Sequence, residues 1–456
     1  MNALLCRKQV VSFAAPVRSL IAFCIVAVGF CAQVIAQEAP INSQERSIVE
    51  SMLDDVKDTI KGHYYDPKYH GVDLDARFKE AKEKVKSATT FNQAIATVAW
   101  AIRPLNDSHT FLIPPRRTYR MDYGYQYTMM GNDCFVIAVK PGSDAEKKGL
   151  KVGDQVITLN RVSPSPENLW ELNYIFRVLR PQAVDELAVR SPDGTQRVLQ
   201  VAPKVTGERM HIYQGLDYWD LVREYQSYQR VMERRSAKVG EAVIIWNFPT
   251  FAVNEKAVDE MLADSSKYPA LILDLRGNGG GYVTTLQRLI GAVVDHDVTI
   301  ATPIMRKTAP PQVAKSRGDK AYSGKIIVLV DHRSASASEI FARIMQLEKR
   351  ATIIGDKTSG SVMESRFYYQ SLGLDNRVGR DSGEGYGVTV TEADLIMPDG
   401  KSLEHLGVTP DEVVLPKGSD LASGRDPVLS YAVQLAGAKL SPEDAGKLFP
   451  VLWPPQ

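Results

Sequence analysis

The stretch Lys325 to Gly360, KIIVLVDHRSASASEIFARIMQLEKRATIIGDKTSG, constrains this chain more than any other. An apolar, β-branched run from Ile326 to Val330 stops at Asp331. A small-residue segment, Ser334-Ala335-Ser336-Ala337-Ser338, then opens an amphipathic run carrying Ile340, Phe341, Ile344, Met345 and Leu347. That order predicts a buried strand, a tight turn and a helix. A hydroxyl at such a junction faces the unpaired N–H groups of the helix start. It either caps the helix or works beside N–H groups that stabilise a developing oxyanion, and this stretch alone leaves both roles open.

The surroundings continue the alternation. Strands are expected at Ala242 to Trp246, Leu271 to Leu275 and Ala351 to Ile354, with helices after Asn254 and from about Tyr282 to Val294, which predicts an α/β core. Arg306 to Gly324, rich in Lys, Arg, Pro and Gly, reads as an exposed loop. Between strand and helix runs Leu273-Asp274-Leu275-Arg276-Gly277-Asn278-Gly279-Gly280-Gly281. A phosphate loop needs a following Gly-Lys-Ser/Thr, and GxGxxG needs glycine where Tyr282 stands, so neither fits. Consecutive glycines also bring backbone N–H groups close to a ligand, which suits an oxyanion hole. The G-x-S-x-G elbow of α/β-hydrolases is absent.

The N-terminal third adds a histidine. Three helical patterns come first: Ile48, Met52, Val56 and Ile60; Leu74, Phe78, Ala81 and Val85; then Ile95, Val98 and Ile102. They predict a helical cap ending at Arg103-Pro104. Leu105-Asn106-Asp107-Ser108-His109-Thr110-Phe111-Leu112 follows, turn-like and then strand-like, placing His109 on or beside a strand as either a structural residue or a base. No HExxH, paired-Cys or Asp-rich loop accompanies any histidine, so no metal is expected.

Composition bounds the setting. At 456 residues two or three domains are expected, and a formal charge of +1 gives no footprint for nucleic acid. Arg7, Lys8 and Arg18 precede an apolar run from Leu20 to Ala36, which predicts a Sec signal peptide cut after Ala36 and a periplasmic or secreted product. Left uncut, that segment is the one membrane attachment in view. Phe30 before Cys31 argues against a lipoprotein signal. Cleavage removes Cys6, Cys24 and Cys31, so Cys134 alone excludes an internal disulfide.

From Met121 to Val205 short strands alternate with Gly turns, and the segment Pro141 to Asn160, with Gly149-Leu150 and Gly153-Asp154, closely resembles a PDZ domain. That resemblance implies a groove taking an extended C-terminal peptide by strand addition, near Gly124, Tyr125, Gln126 and Tyr127. With all these pieces together, the chain resembles the S41 peptidase family of C-terminal processing proteases. The carrying motifs are Asp107-Ser108-His109, the PDZ segment, DLRGNGGG, SASASE, Gly355-x-x-Thr358-x-Gly360 and Leu403-Glu404-His405-Leu406-Gly407-Val408-Thr409-Pro410-Asp411.

The resemblance implies Ser336 as nucleophile, with Ser334 as helix cap and Ser338 in the first turn. Processing proteases activate the serine with a lysine after the Gly-x-x-Thr-x-Gly turn, but Ser361 stands there, and Lys357 lies on the other side of the turn. The tricorn-like branch uses a Ser-His pair and a late Glu instead. By that analogy His109 is the general base, Glu404 orients it, and the Gly281 and Ala337 N–H groups form the oxyanion hole. Ser108 is either a relay or structural, because adjacent residues on a strand point to opposite faces. The implied fold is α/β: a ClpP/crotonase-like core with an N-terminal helical domain and an inserted PDZ domain. The expected boundaries are 1–36 signal peptide, 37–118 helical domain, 119–205 PDZ domain, 206–430 catalytic domain and 431–456 tail. The implied function is an exported serine endopeptidase acting on protein or peptide substrates through their C-termini, without cofactor. The rival is a non-catalytic peptide- or ligand-binding protein on the same fold. The sequence leaves the oligomeric state open.

Overall fold

The computed structural model describes residues 40–117, 119–207, 233–371, 385–451 and 453. The predicted leader and residues 208–232 lie outside the described residues.

The centre is a six-stranded sheet. Its order is Glu412–Val413, Ala351–Gly355, Lys325–Val330, Ala270–Asp274, Val243–Asn247 and Arg235–Val239. The neighbours pair in parallel except the last two, which are antiparallel. Ala270–Asp274 is buried throughout, the pattern of a strand covered on both faces. Helices Glu255–Ser265, Val283–Val293 and Ala337–Leu347 share a core with one face, built around Phe248, Phe251, Leu289 and Phe341. Helix Pro427–Leu435 closes the other face with Val428, Leu429, Ala432 and Val433. The boundary expected at 430/431 therefore falls inside a helix that the sheet needs for burial.

A second, antiparallel sheet is organised by the long strand Gly385–Ile396. It pairs with Met363–Ser371, with Val298–Ile304 and with Phe111–Ile113, where Leu112 faces Val388. Helices Ser43–His63, Leu74–Ser87 and Phe91–Ile102 form as their periodicity predicts and are capped by Asn42, Asp73 and Thr90. Their apolar faces close over Leu112, Tyr386, Val388 and Val390, so the helical cap shares its core with this sheet. The stretch 306–324 is less loop-like than expected. It contributes the strand Gln312–Ala314 and buries Ala314 and Tyr322.

Residues 119–207 form a separate β layer. The ribbon Tyr119–Asp122 with Lys204–Gly207 brackets a five-stranded sheet whose edge strand is Tyr125–Met130. Cys134, the one cysteine among the described residues, is buried there as a free thiol, and burial pushes its pKa up to about 12.

Candidate active site

The strand Lys325–Val330 ends in the turn that the sequence predicts, and Ser336 sits immediately before the helix Ala337–Leu347. Its backbone is held at φ 55° and ψ −119°, a strained region for a residue with a side chain. What holds it there is Glu339. This buried carboxylate accepts from Ser336 N–H at 3.0 Å, Ser361 N–H at 2.9 Å, Gly360 N–H at 2.7 Å and Thr358 Oγ1 at 2.6 Å. Burial raises its pKa to about 7 against those four donors. Ser336 N–H also donates to Ser361 O at 2.9 Å. Ser334 is not a cap: its hydroxyl donates to Leu275 O at 2.8 Å, closing the turn onto the neighbouring strand. Ser338 lies in the first helical turn, as expected, and its hydroxyl donates to Asn278 O at 2.9 Å.

The glycine loop lies directly against this turn. Asn278, fully buried, takes Ala335 N–H on its carbonyl at 3.0 Å and Gly280 N–H on its side chain at 2.8 Å. A Cβ on Gly280 would stand 2.7 Å from Ser336 Cβ and 3.1 Å from Ala337 N, so only glycine permits this approach. Gly281, at φ +146°, follows the bond from Phe251 N–H to Gly280 O at 2.7 Å. Neither Gly281 N–H nor Ala337 N–H has an acceptor among the hydrogen bonds of the described residues. Ala337 follows Ser336 directly, and Gly281 follows the Gly280 that packs against Ser336.

His109 arrives from the other end of the chain. Asp107 Oδ1 accepts from His109 N–H at 2.9 Å and Thr110 N–H at 2.7 Å, and this turn bends the backbone before the strand begins at Phe111. The bend lets two adjacent side chains meet: Ser108 Oγ lies 2.7 Å from His109 Nδ1. Ser108 Oγ in turn donates to Glu404 Oε2 at 2.9 Å, and Ser108 N–H donates to Glu404 Oε1 at 2.7 Å. A carboxylate only accepts, so the hydroxyl proton points to Glu404, the proton on Nδ1 points to Ser108, and Nε2 keeps its lone pair. Both residues precede the strand Phe111–Ile113, so the strand alternation that would make Ser108 structural does not apply to them.

The two halves join through consecutive residues. Ser361 O binds the Ser336 backbone, and Val362 N–H donates to Glu404 Oε2 at 2.8 Å. No hydrogen bond joins Ser336 Oγ to His109 among the described residues. Burial lowers the pKa of His109, and the charge of Asp107 opposes that shift. Burial raises that of Glu404, against the N–H groups of Val362 and Ser108. Lys357 is exposed, and Ser361, where a processing protease carries lysine, spends its hydroxyl on Ser359 at 2.8 Å. Among the described residues no cluster of three or more His, Cys, Asp or Glu side chains could hold a metal ion.

The residues expected to bind a peptide lie in the separate β layer. Gly124 N–H is taken by Asp122 at 2.9 Å. The Tyr125 hydroxyl donates to Asp185 at 2.5 Å and receives Arg177, and the Tyr127 hydroxyl donates to Asn173 at 2.6 Å. Both tyrosine side chains therefore tie the edge strand to the layer's own helical segment. Tyr125–Met130, which carries Gln126, is an edge strand of its sheet.

Three groups escaped the reading of the sequence: Glu339, Asn278, and the ion cluster in which Arg276 bridges Asp274 at 2.7 Å and Asp426 at 2.8 Å. Glu339 and Asn278 stand inside quoted motifs, so a polar residue in an otherwise small or apolar run was the available signal.

A parallel sheet covered by helices thus carries a strained serine between a helix start and a glycine loop. Residues 243–414 match the model described as Peptidase family S41. It is similar to a tail-specific protease of Haemophilus influenzae, 27% identical over 280 residues that cover 57% of this chain and 38% of the relative. A carboxy-terminal-processing protease of Bartonella bacilliformis is 27% identical over 310 residues, 66% of this chain and 64% of that protein. The chain thus spans less than two thirds of either relative. Among solved structures, mature CPAF complexed with lactacystin shares the fold at a TM-score of 0.62 and 15% identity, over 86% of this chain and 98% of that one.

Proposed function

We propose that the chain is an exported serine endopeptidase that works by acyl-enzyme chemistry, with Ser336 as nucleophile, His109 as general base and Glu404 acting through Ser108. The observation that carries this reading is the hydrogen-bond chain from Glu404 through Ser108 Oγ to His109 Nδ1, which leaves Nε2 as the acceptor. A serine hydroxyl needs such a base at neutral pH. Substrate binding brings Ser336 Oγ within reach of Nε2, a contact that commonly tightens only in the complex.

Ser336 Oγ attacks the scissile carbonyl while its proton passes to Nε2. The Gly281 and Ala337 N–H groups hold the oxyanion, and Ser108 with Glu404 stabilises the imidazolium. Nε2 then protonates the leaving amine, and water activated by the same imidazole releases the acyl fragment. Substrate C-termini dock on the PDZ-like layer by strand addition at Tyr125–Met130, and specificity there comes through the backbone, since the tyrosines are engaged. Export follows from the leader-like segment at residues 1–36, and among the described residues no helix is long and apolar enough to cross a membrane.

The test is hydrolysis of an unfolded protein by the chain from Gln37 onward, beside Ser336→Ala and His109→Ala. A fluorophosphonate probe reports the nucleophile by mass. Cleavage lost in both variants, with the probe on Ser336, supports the proposal. Full activity in either variant overturns it, as does an inert wild type that the probe leaves unlabelled.

A further inference from the structure

Asp107 carries more than the turn requires. Its Oδ1 accepts from His109 N–H, Thr110 N–H and, at 2.6 Å, Thr391 Oγ1. Its Oδ2 is buried with no hydrogen-bond partner. The Tyr64 hydroxyl, on a side chain with no solvent exposure, is also left without one. These two groups face each other just short of hydrogen-bond geometry, and both the charge of Asp107 and the contact with its carboxylate raise the Tyr64 pKa. A buried carboxylate oxygen that meets only a tyrosine hydroxyl is poorly satisfied. An asparagine here would keep the Oδ1 contacts and turn an N–H towards Tyr64. Oδ1 alone closes the turn, while Oδ2 faces Tyr64 and adds charge beside His109.

We propose that Asp107 is a positioning residue for His109: its buried carboxylate sets the imidazole on its turn and stabilises the imidazolium formed during proton transfer. This rests on the reading of Ser336 and His109 as nucleophile and base.

Glu404 reaches the ring only through a hydroxyl, whereas Asp107 acts on it through space. The other titratable groups around this turn are Tyr64 and Tyr65 at the end of the first helix, His70, whose Nδ1 lies 2.7 Å from Leu105 O, Asp66 and Asp394 near Tyr65, and His405, whose Nε2 lies 2.8 Å from Asn106 O. Tyr65 N–H fastens that helix end to Thr391 O at 3.0 Å.

The experiment is a ¹⁵N NMR titration of His109, assigned by difference from His109→Ala, in the chain from Gln37 onward and in its Asp107→Asn variant, with kcat/KM measured against pH on both. The expected result is a His109 pKa lower by about one unit in Asp107→Asn, an acid limb that moves with it, and kcat reduced about tenfold, one pKa unit being a factor of ten. Thermal stability stays equal or rises. Asp107→Ser, which keeps an acceptor for the turn, gives the same shift and serves if the asparagine variant does not fold. A His109 pKa unmoved in both variants overturns the proposal, whatever happens to activity. A pKa that moves while His109→Ala still cleaves at the wild-type rate upholds the coupling and overturns the serine–histidine reading instead.

Discussion

Ser336 gives its backbone N–H to the carboxylate of Glu339, three residues further along, at 3.0 Å. The same carboxylate collects Gly360, Ser361 and Thr358, so one buried group fixes the nucleophile's strained backbone and the loop beneath it. Glutamine cannot replace it, because its NH₂ would face two donors. Glu339→Gln is expected to lower stability by about 2–4 kcal/mol and to lower kcat more than it changes KM. Denaturant unfolding and steady-state kinetics measure both.

The raised pKa of Glu339 also has a sign. The folded chain binds this proton more tightly than the unfolded one, so its contribution to stability is present below about 4.5 and is lost as pH rises to about 7. Unfolding free energies measured from pH 5 to pH 8 should show that fall, and Glu339→Gln should flatten it.

His109 runs the other way. Burial depresses its pKa below 6.5, so activity is expected to rise with pH through an acid limb lying below that value. Its contribution to stability is present above 6.5 and is lost as pH falls towards the folded pKa. A kcat/KM profile from pH 4 to pH 8 locates the limb, and a midpoint above 6.5 would contradict this assignment.

Ser108→Ala removes the link between Glu404 and His109 and leaves Nδ1 without its partner. A fall in kcat of roughly 10²-fold with little change in KM is expected, the scale of general-base catalysis. An unchanged kcat would make Ser108 structural.

Gly280→Ala places a methyl group 2.7 Å from Ser336 Cβ and 3.0 Å from Ala335 O, at a φ of +98° that side chains avoid. The loop must move off the nucleophile, taking the Gly281 N–H with it. The expected loss in kcat is about 10²-fold, comparable to removing an oxyanion donor.

Much of this site was legible because its pieces are local. The strand, the turn at Ser334–Ser338 and the glycine loop each announce themselves by short-range pattern, and the helix periodicities place Val56, Phe78 and Val98 in the core. Two things were not legible. The pairing of Phe111–Ile113 with Gly385–Ile396 joins distant segments whose register no local pattern encodes. The approach of Ser108 to His109 depends on the Asp107 side chain bending the backbone. The Asp-Ser-His-Thr run carries the composition of such a turn, but composition does not say that the turn extends through His109.

The hydrogen bonds between Ser108 and Glu404 span a sequence separation of 296 residues. A growing chain holds its nucleophile turn long before it holds the group that orients its base. Cutting power on this reading is a property of the finished tertiary structure and arrives in one step, when the segment around Glu404 docks. A chain still being threaded, or trapped half-folded, would carry every chemical group up to that point and yet be harmless to its neighbours.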